Sequence, residues 1–439
     1  METSSRFGKK ADGGLRMFGV AWGVFPSIQG AWVISNEDWF PAGRGVDMLK
    51  LNAGFESVGN DAMDNSATLT YMSSEMMFGN ANSSLGLANI GSSSLQWETT
   101  NRFNVGLEGN FFNNRLNLRA NYFWSRTNNL ITLGTLAYVA GIPTYYTNDG
   151  KLKNNGFDAA FNAKVIDGKN FKVELGASIG HYKNELTRLP QGVQSFETSL
   201  YGGTVLSQVG KSAGVFYGYK TDGVYKDTQA ANADGKFIRD DSNNPVYFGA
   251  GDVKFVDKDG NGEINENDRF IIGDPNPDIY GNISLKLHYT KAWTLAANFN
   301  YSVGNDIYNY ERAVLEGSSN FLNQTTAVTR RWTTEGQATD MPKAVYSDPM
   351  GNSRFSDRWI ENGSYLKLKN VTLSYKVPIQ NEYIQGMTVW FAANNLFTLT
   401  KYLGPDPELS CGNSVLYQGI DAGYLSSGRS FHLGVKINL

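Results

Sequence analysis

The chain has 439 residues, a formal net charge of −3, 48 glycines and one cysteine. Near-balanced charge excludes a basic field for nucleic acid, and Cys411 alone excludes an intrachain disulfide framework or a thiolate zinc site. No run of about 18 apolar residues is present, which excludes a membrane-spanning helix but not a β-barrel, in which only alternate residues meet lipid.

The predicted elements are strands. Leu49, Leu51, Ala53 and Phe55 alternate with polar residues, a period of two that gives a strand unlike faces. Phe103 to Phe111 lead into Asn113-Asn114 and Leu116 to Trp124 lead out, which predicts a hairpin on a two-residue turn able to take positive φ. Phe157 to Val165 and Phe171 to Ile179 repeat the pattern across Asp167-Gly168. Gly210-Lys211-Ser212-Ala213-Gly214 matches G-x-S-x-G, but strand-like or loop sequence follows where a nucleophile elbow needs a helix. No supported catalytic constellation appears, and the expectation is a non-enzyme. His181, His288 and His432 lie far apart and read as pore-facing or surface residues.

The segment 257–268 has the spacing of an EF-hand-type calcium loop. Asp257, Asp259 and Asn261 hold positions one, three and five, Gly262 supplies the sharp turn, Glu263 offers its carbonyl and Asp268 closes the loop. Hard oxygen ligands at alternate positions can converge on one cation, and a structural calcium ion is expected. The bland reading is a solvated acidic turn.

Ile283, Leu285, Leu287 and Tyr289 alternate, then Trp293 to Val303 on odd numbers, with Asn298 and Asn300 between them. These predict an antiparallel pair, 281–290 with 292–303, its odd face towards lipid. A lysine at Leu295 is therefore expected to hinder membrane insertion, and replacement of Asn298 is not. The segment 365–377 switches parity near Asn370, which predicts a bulge. Met387 to Ala393 and Phe431 to Leu439 alternate again. Aromatics gather at strand ends (Tyr122, Phe123 and Trp124; Tyr289 and Trp293; Trp390 and Phe391), as an interfacial girdle requires. The segments near 197–278, 305–363 and 400–428 read as long extracellular loops. In them Tyr201, Phe216, Tyr217, Tyr308, Tyr310, Phe321, Trp332 and Tyr417 are candidates to stack on sugar rings or grip peptide side chains.

Several stretches together resemble the SusC/RagA family of TonB-dependent outer-membrane transporters: Ser4 to Lys9 with Phe25-Pro26-Ser27 and Ala31-Trp32; Leu95 to Thr100 with Asn104 to Leu107; Phe216 to Tyr219 with Asp222 to Tyr225. The most specific is Arg354-Phe355-Ser356-Asp357-Arg358-Trp359-Ile360-Glu361-Asn362-Gly363-Ser364-Tyr365-Leu366-Lys367-Leu368-Lys369-Asn370-Val371. Asn394 to Thr398, Lys401-Tyr402 and Asp406-Pro407-Glu408 complete it. The resemblance covers the chain in order, but only the later part of the family's pattern; the leader, TonB-binding segment, plug and first strands have no counterpart in 1–439. It implies an all-β, antiparallel transmembrane barrel of the TonB-dependent receptor type, here its C-terminal part, with roughly 12–14 strands against about 22 in a complete barrel. It also implies a Gram-negative outer membrane, import of an oligosaccharide or peptide, a SusD-like surface lipoprotein as partner, and energy from the TonB complex through the missing N-terminal region. Such a chain is expected to form an open sheet and to import nothing alone. The alternative reading is a calcium-stabilised soluble or surface β-protein that binds glycans. Its apolar faces would meet in a dry core instead of forming an outward band.

Overall fold

The computed structural model describes residues 2–11, 22–41, 45–61, 68–77, 82–92, 95–136, 142, 144–379, 383–412 and 414–438. Among them, twelve strands form one antiparallel sheet in which neighbours follow chain order. These are β1 Glu2–Ala11, β2 Trp22–Val33, β3 Val46–Asn60, β4 Glu98–Phe111, β5 Leu116–Thr135, β6 Thr144–Asp167, β7 Phe171–Arg188, β8 Ile279–Tyr289, β9 Trp293–Val303, β10 Tyr365–Val377, β11 Gly386–Thr400 and β12 Ser430–Asn438. Among the described residues β1 pairs with β2 alone and β12 with β11 alone, so the sheet has two edges.

Alternation decides what each face carries. One row across the sheet reads Leu49, Gly109, Leu118, Phe161, Ala177, Ile283 and Phe299, each residue opposite the next. The neighbouring row on the other face reads Asn117, Asn162, Gly176, Ser284, Asn298, Asn370, Asn394 and Ser430. The polar row is cross-linked: Asn370 Nδ2 donates to Asn394 Oδ1 at 2.8 Å, and Asn394 Nδ2 to Ser430 Oγ at 2.9 Å. The apolar face stays uncovered, with Leu433 77% exposed, Phe391 44% and Phe103 44%. A soluble sandwich would bury that face, so the dry-core alternative fails here.

Aromatic residues border the apolar band at two levels. Trp293 meets Tyr375 at 4.5 Å between centroids near the 290–292 turn, and Tyr122 meets Trp124 at 4.3 Å higher up. From Phe171, at the lower level, to His181, which sits opposite Phe157 at the upper, the strand advances ten residues. At about 3.3 Å per residue and a tilt of about 40°, that is a height of about 25 Å, the thickness of an outer-membrane apolar band.

The predicted pairing of 281–290 with 292–303 is present as Ile279–Tyr289 against Trp293–Val303 in unbroken register. The bulge lies at Lys369: Asn298 opposes Asn370 while Phe299 opposes Leu368. The turn after β4 differs from expectation. It takes four residues, 112–115, with Phe112, Asn113 and Asn114 all left-handed, closed by Arg115 N donating to Phe111 O at 3.0 Å. Phe112, a residue that resists positive φ, was not readable as part of it.

Short connections (112–115, 168–170, 290–292, and 378–379 with 383–385) lie at one end of the sheet; 189–278, 304–364, and 401–412 with 414–429 lie at the other. In outer-membrane barrels the short turns are periplasmic and the long loops extracellular. These last three loops fold together into a cap. Its first loop carries a four-stranded sheet (195–200, 203–208, 215–219 and 269–273), and Asp306–Asn309 pairs antiparallel with Ile360–Asn362 and parallel with Ile420–Asp421. All three loops feed one apolar core: Val205 and Phe216 from the first, Tyr308 and Trp359 from the second, Ile420 from the third. A second core gathers Tyr225, Phe248, Val253, Phe255 and Ile264 around Met350.

Candidate functional site

The acidic loop 257–268 turns on Gly260 (φ 74°) and Gly262 (φ 82°), whose N–H groups both donate to the Asp257 carboxylate at 2.7 Å. Ile264 is buried in the second core and pins the loop to the cap. Asp268 is fully buried, and its two oxygens accept the N–H groups of Lys258 and Asn265 at 2.8 Å each. One oxygen from each of Asp257, Asp259 and Asp268 lies within 4.8 Å of the others. Burial pushes the Asp257 carboxyl up, but the N–H groups of Gly262 and Gly260 outweigh it and hold it below its usual value, so it is an anion at neutral pH. The Glu263 side chain turns away to Arg239 at 2.9 Å, which leaves the backbone carbonyl for the position expected of it. Asn261 Oδ1 accepts from Glu263 N at 2.7 Å, and its amide donates to Asp259. A carboxylate oxygen has two lone pairs, so these hydrogen bonds leave acceptor capacity for a hard cation.

The aromatic candidates divide. Phe216 and Tyr308, 0% and 3% exposed, are corrected by the structure: they are the centre of the first cap core and present no ring face to a ligand. Aromatic richness alone does not separate core from contact surface. Tyr310 packs against that same core, and its ring lies 5.2 Å from Tyr201. Tyr217 carries the Arg269 guanidinium over its ring at 5.0 Å. Trp332 lies against Gly251 and donates Nε1–H to Lys226 O at 2.9 Å. Tyr417 receives the Ser410 hydroxyl on its carbonyl at 2.7 Å. The exposed Phe321 stacks on Tyr346 at 4.8 Å. Tyr201 and Tyr310 thus join Phe216 and Tyr308 at the first cap core, while Tyr217, Trp332 and Phe321 have partners of their own. The G-x-S-x-G segment is a turn between the strands 203–208 and 215–219 with no helix after it.

What sequence reasoning missed is an ionic cluster where the third loop meets the wall. Lys367, on the inward face of β10 and 2% exposed, places Nζ 2.7 Å from both Asp406 and Glu408. Lys369 reaches Glu408 at 2.9 Å, and the Tyr365 hydroxyl donates to Glu408 at 3.1 Å. Burial raises the Glu408 carboxyl, yet the hydrogen bonds and charges of Lys367 and Lys369 prevail and set it below its ordinary value. Beside the cluster opens a cavity of about 490 Å³, lined by residues of β7–β10 and by loop residues from 275–277, 305–307, 407–410 and 418–419.

The wall and the cap together have the anatomy of a membrane barrel under a folded lid. Residues 54–396, which is 343 of 439, match the family described as TonB dependent receptor-like, beta-barrel. The chain belongs to that family. As a TonB-dependent receptor barrel it is an outer-membrane protein. TonB-dependent receptor P3 of Formosa agariphila is 29% identical over 432 residues, covering 95% of this chain and 42% of that protein. TonB-dependent receptor SusC of Bacteroides thetaiotaomicron is 26% identical over 436 residues, covering 95% and 40%. Among solved structures, the RagAB peptide importer in its closed-closed state shares the receptor-barrel fold at a TM-score of 0.75 and 24% identity, over 96% of this chain and 44% of that one. The chain thus spans about two fifths of the length of the curated relatives it matches.

Proposed function

We propose that this receptor barrel forms the wall of a nutrient importer, carrying an oligosaccharide or a peptide across the outer membrane. The observation that carries the reading is the division of the sheet's faces: an apolar outward band and an inward face of cross-linked asparagines beneath a folded cap. That arrangement keeps a hydrated path inside a lipid-facing wall. Import would be energised by the TonB complex through a part of the transporter outside these residues, with a SusD-like surface lipoprotein seated over the cap. Both come to this chain from its family kinship. The chemistry asked of the barrel is recognition and passage; the chain's relatives are named as receptors, not as enzymes. Deleting the gene in the source cell should abolish growth on one oligosaccharide or peptide supplied as sole nutrient. Unchanged growth and uptake across a full panel of both classes would overturn the reading.

The loop 257–268 would hold one structural calcium ion through Asp257, Asp259, Asn261, the Glu263 carbonyl and Asp268. Its support is the approach of three carboxylates within 4.8 Å in a loop pinned to the cap core. Calcium at 100-fold over its dissociation constant stabilises the fold that binds it by about 2.7 kcal/mol. The melting midpoint of the cap should therefore rise by several degrees in calcium over EGTA. Asp259→Ala, which breaks hydrogen bonds within the loop and none to the cap core, should keep the fold and lose that rise. Equal midpoints in calcium and EGTA would dismiss the ion.

A further inference from the structure

We propose that the cavity beside the Lys367 cluster is a subsite for a neutral oligosaccharide, with the Tyr280 ring as its stacking platform. The assignment rests on the import reading and names the class of cargo. Tyr280 lies on the inward face of β8, 41% exposed, and leans over Gly180, where an added Cβ would come within 2.8 Å of the ring. Glycine at 180 is thus what lets the ring lie flat along the wall. Tyr182 meets it edge-on at 5.9 Å and is fixed by its hydroxyl donating to Asn276 Oδ1 at 3.2 Å. Gln418, held by a 3.1 Å hydrogen bond from Nε2 to Pro275 O, and Glu408 line the same cavity. A volume of about 490 Å³ falls within the roughly 300–1,000 Å³ of small-ligand sites.

Charge decides the ligand class. Among the described lining residues Glu408 is the single carboxylate, and none is a lysine, arginine or histidine. Its charge is already answered by Lys367 and Lys369 at 2.7 and 2.9 Å. Nothing there is left to pair the ammonium or carboxylate terminus of a peptide, or the acid groups of a uronate, and burying either unpaired is costly. A neutral sugar asks for what is present: an aromatic face for its C–H surface, an amide, and a carboxylate whose remaining lone pairs accept hydroxyl protons.

The test uses the protein purified from outer membranes in detergent and titrated calorimetrically. The ligands are neutral hexasaccharides of α-glucan, β-glucan, β-mannan and xylan, against a hexagalacturonate and an uncapped hexapeptide. One or more neutral sugars should bind, and the two charged ligands should not. Tyr280→Ala should weaken the sugar about tenfold, and Tyr280→Phe should bind as the parent does. Gln418→Ala, in a loop, gives a second reading if Tyr280→Ala fails to fold by heat-modifiable mobility. Absence of sugar binding, sugar binding indifferent to both substitutions, or peptide binding that depends on Tyr280 would each overturn the subsite. Uptake by the source cell separates the two readings. Tyr280-dependent sugar binding with uptake untouched by gene deletion sinks import alone. Deletion that stops peptide uptake, with no sugar binding, sinks the subsite alone.

Discussion

Leu285→Lys is expected to deplete the protein from the outer-membrane fraction and to lower its folding stability in lipid vesicles by roughly 2–4 kcal/mol, the cost of a lysine near the bilayer midplane on the lipid face of a barrel. Leu285 lies mid-strand, opposite Leu175 on one side and Ala297 on the other, on the apolar face. Leu295, the position that alternation alone suggests, stands two residues beyond Trp293, close to the 290–292 turn. A lysine there can extend towards the interface, and near the interface the cost falls to about 0–1 kcal/mol. Ser284→Lys is the control. Its side chain shares the polar face with Gly176 and Asn298, beside Lys286, and the charge stays in water. Urea titration of vesicle-inserted protein distinguishes the two. Equal losses for Leu285→Lys and Ser284→Lys would mean that the faces have been assigned wrongly.

The wall was legible because its physics is local. A strand that meets lipid on one side and water on the other must alternate, and the parity switch near Asn370 announced the bulge at Lys369. The cap was not legible, because its order comes from pairings between distant loops. Ile420 becomes core only by lying parallel to Tyr308 and against Trp359. For the same reason Phe216 and Tyr308 looked like ligand contacts: loop position plus an aromatic ring is the signature of a binding residue and of a buried one alike. The acidic loop was readable in its spacing, since its turn geometry is set within twelve consecutive residues. The cavity was not. Tyr182, Tyr280 and Gln418 come from three separate segments, and nothing in any one of them marks the meeting place. Lys367, Asp406 and Glu408 all lie in stretches that carried the family resemblance, yet their contact is a fact of tertiary structure.

That contact supports the second large effect. Lys367→Met should release the loop 401–429 from the wall and raise amide hydrogen exchange throughout it. The variant leaves Asp406, 4% exposed, without its 2.7 Å partner, and leaves Glu408 with Lys369 and the Tyr365 hydroxyl. Removing one member of a buried pair costs about 3–5 kcal/mol, because the surviving charge stays desolvated and unpaired. Exchange should rise first around Ile420 and Asp421. They are held by the pairing with Tyr308 and Asn309 and by the Tyr402 hydroxyl, which donates to Asp421 at 2.7 Å. Replacing the three together (Lys367→Met with Asp406→Asn and Glu408→Gln) should recover much of the loss, since no deeply buried charge then stays unpaired; Lys369, which loses Glu408, is partly exposed and keeps its charge in water. Acid gives an independent reading. The Glu408 carboxyl is held below its ordinary 4.5, so its share of the latch is present above that pH and is lost as the pH falls through the lower, folded value. In the parent protein, exchange in 401–429 should therefore climb only below about pH 4.5, and in Glu408→Gln that acid step should shrink. The latch also bears on the proposed subsite, because the same loop lines the cavity at Pro407, Glu408 and Gln418. A loop that exchanges no faster in Lys367→Met than in the parent would show that the three-loop core alone holds it down, and that the cluster is not what ties the lid to the barrel.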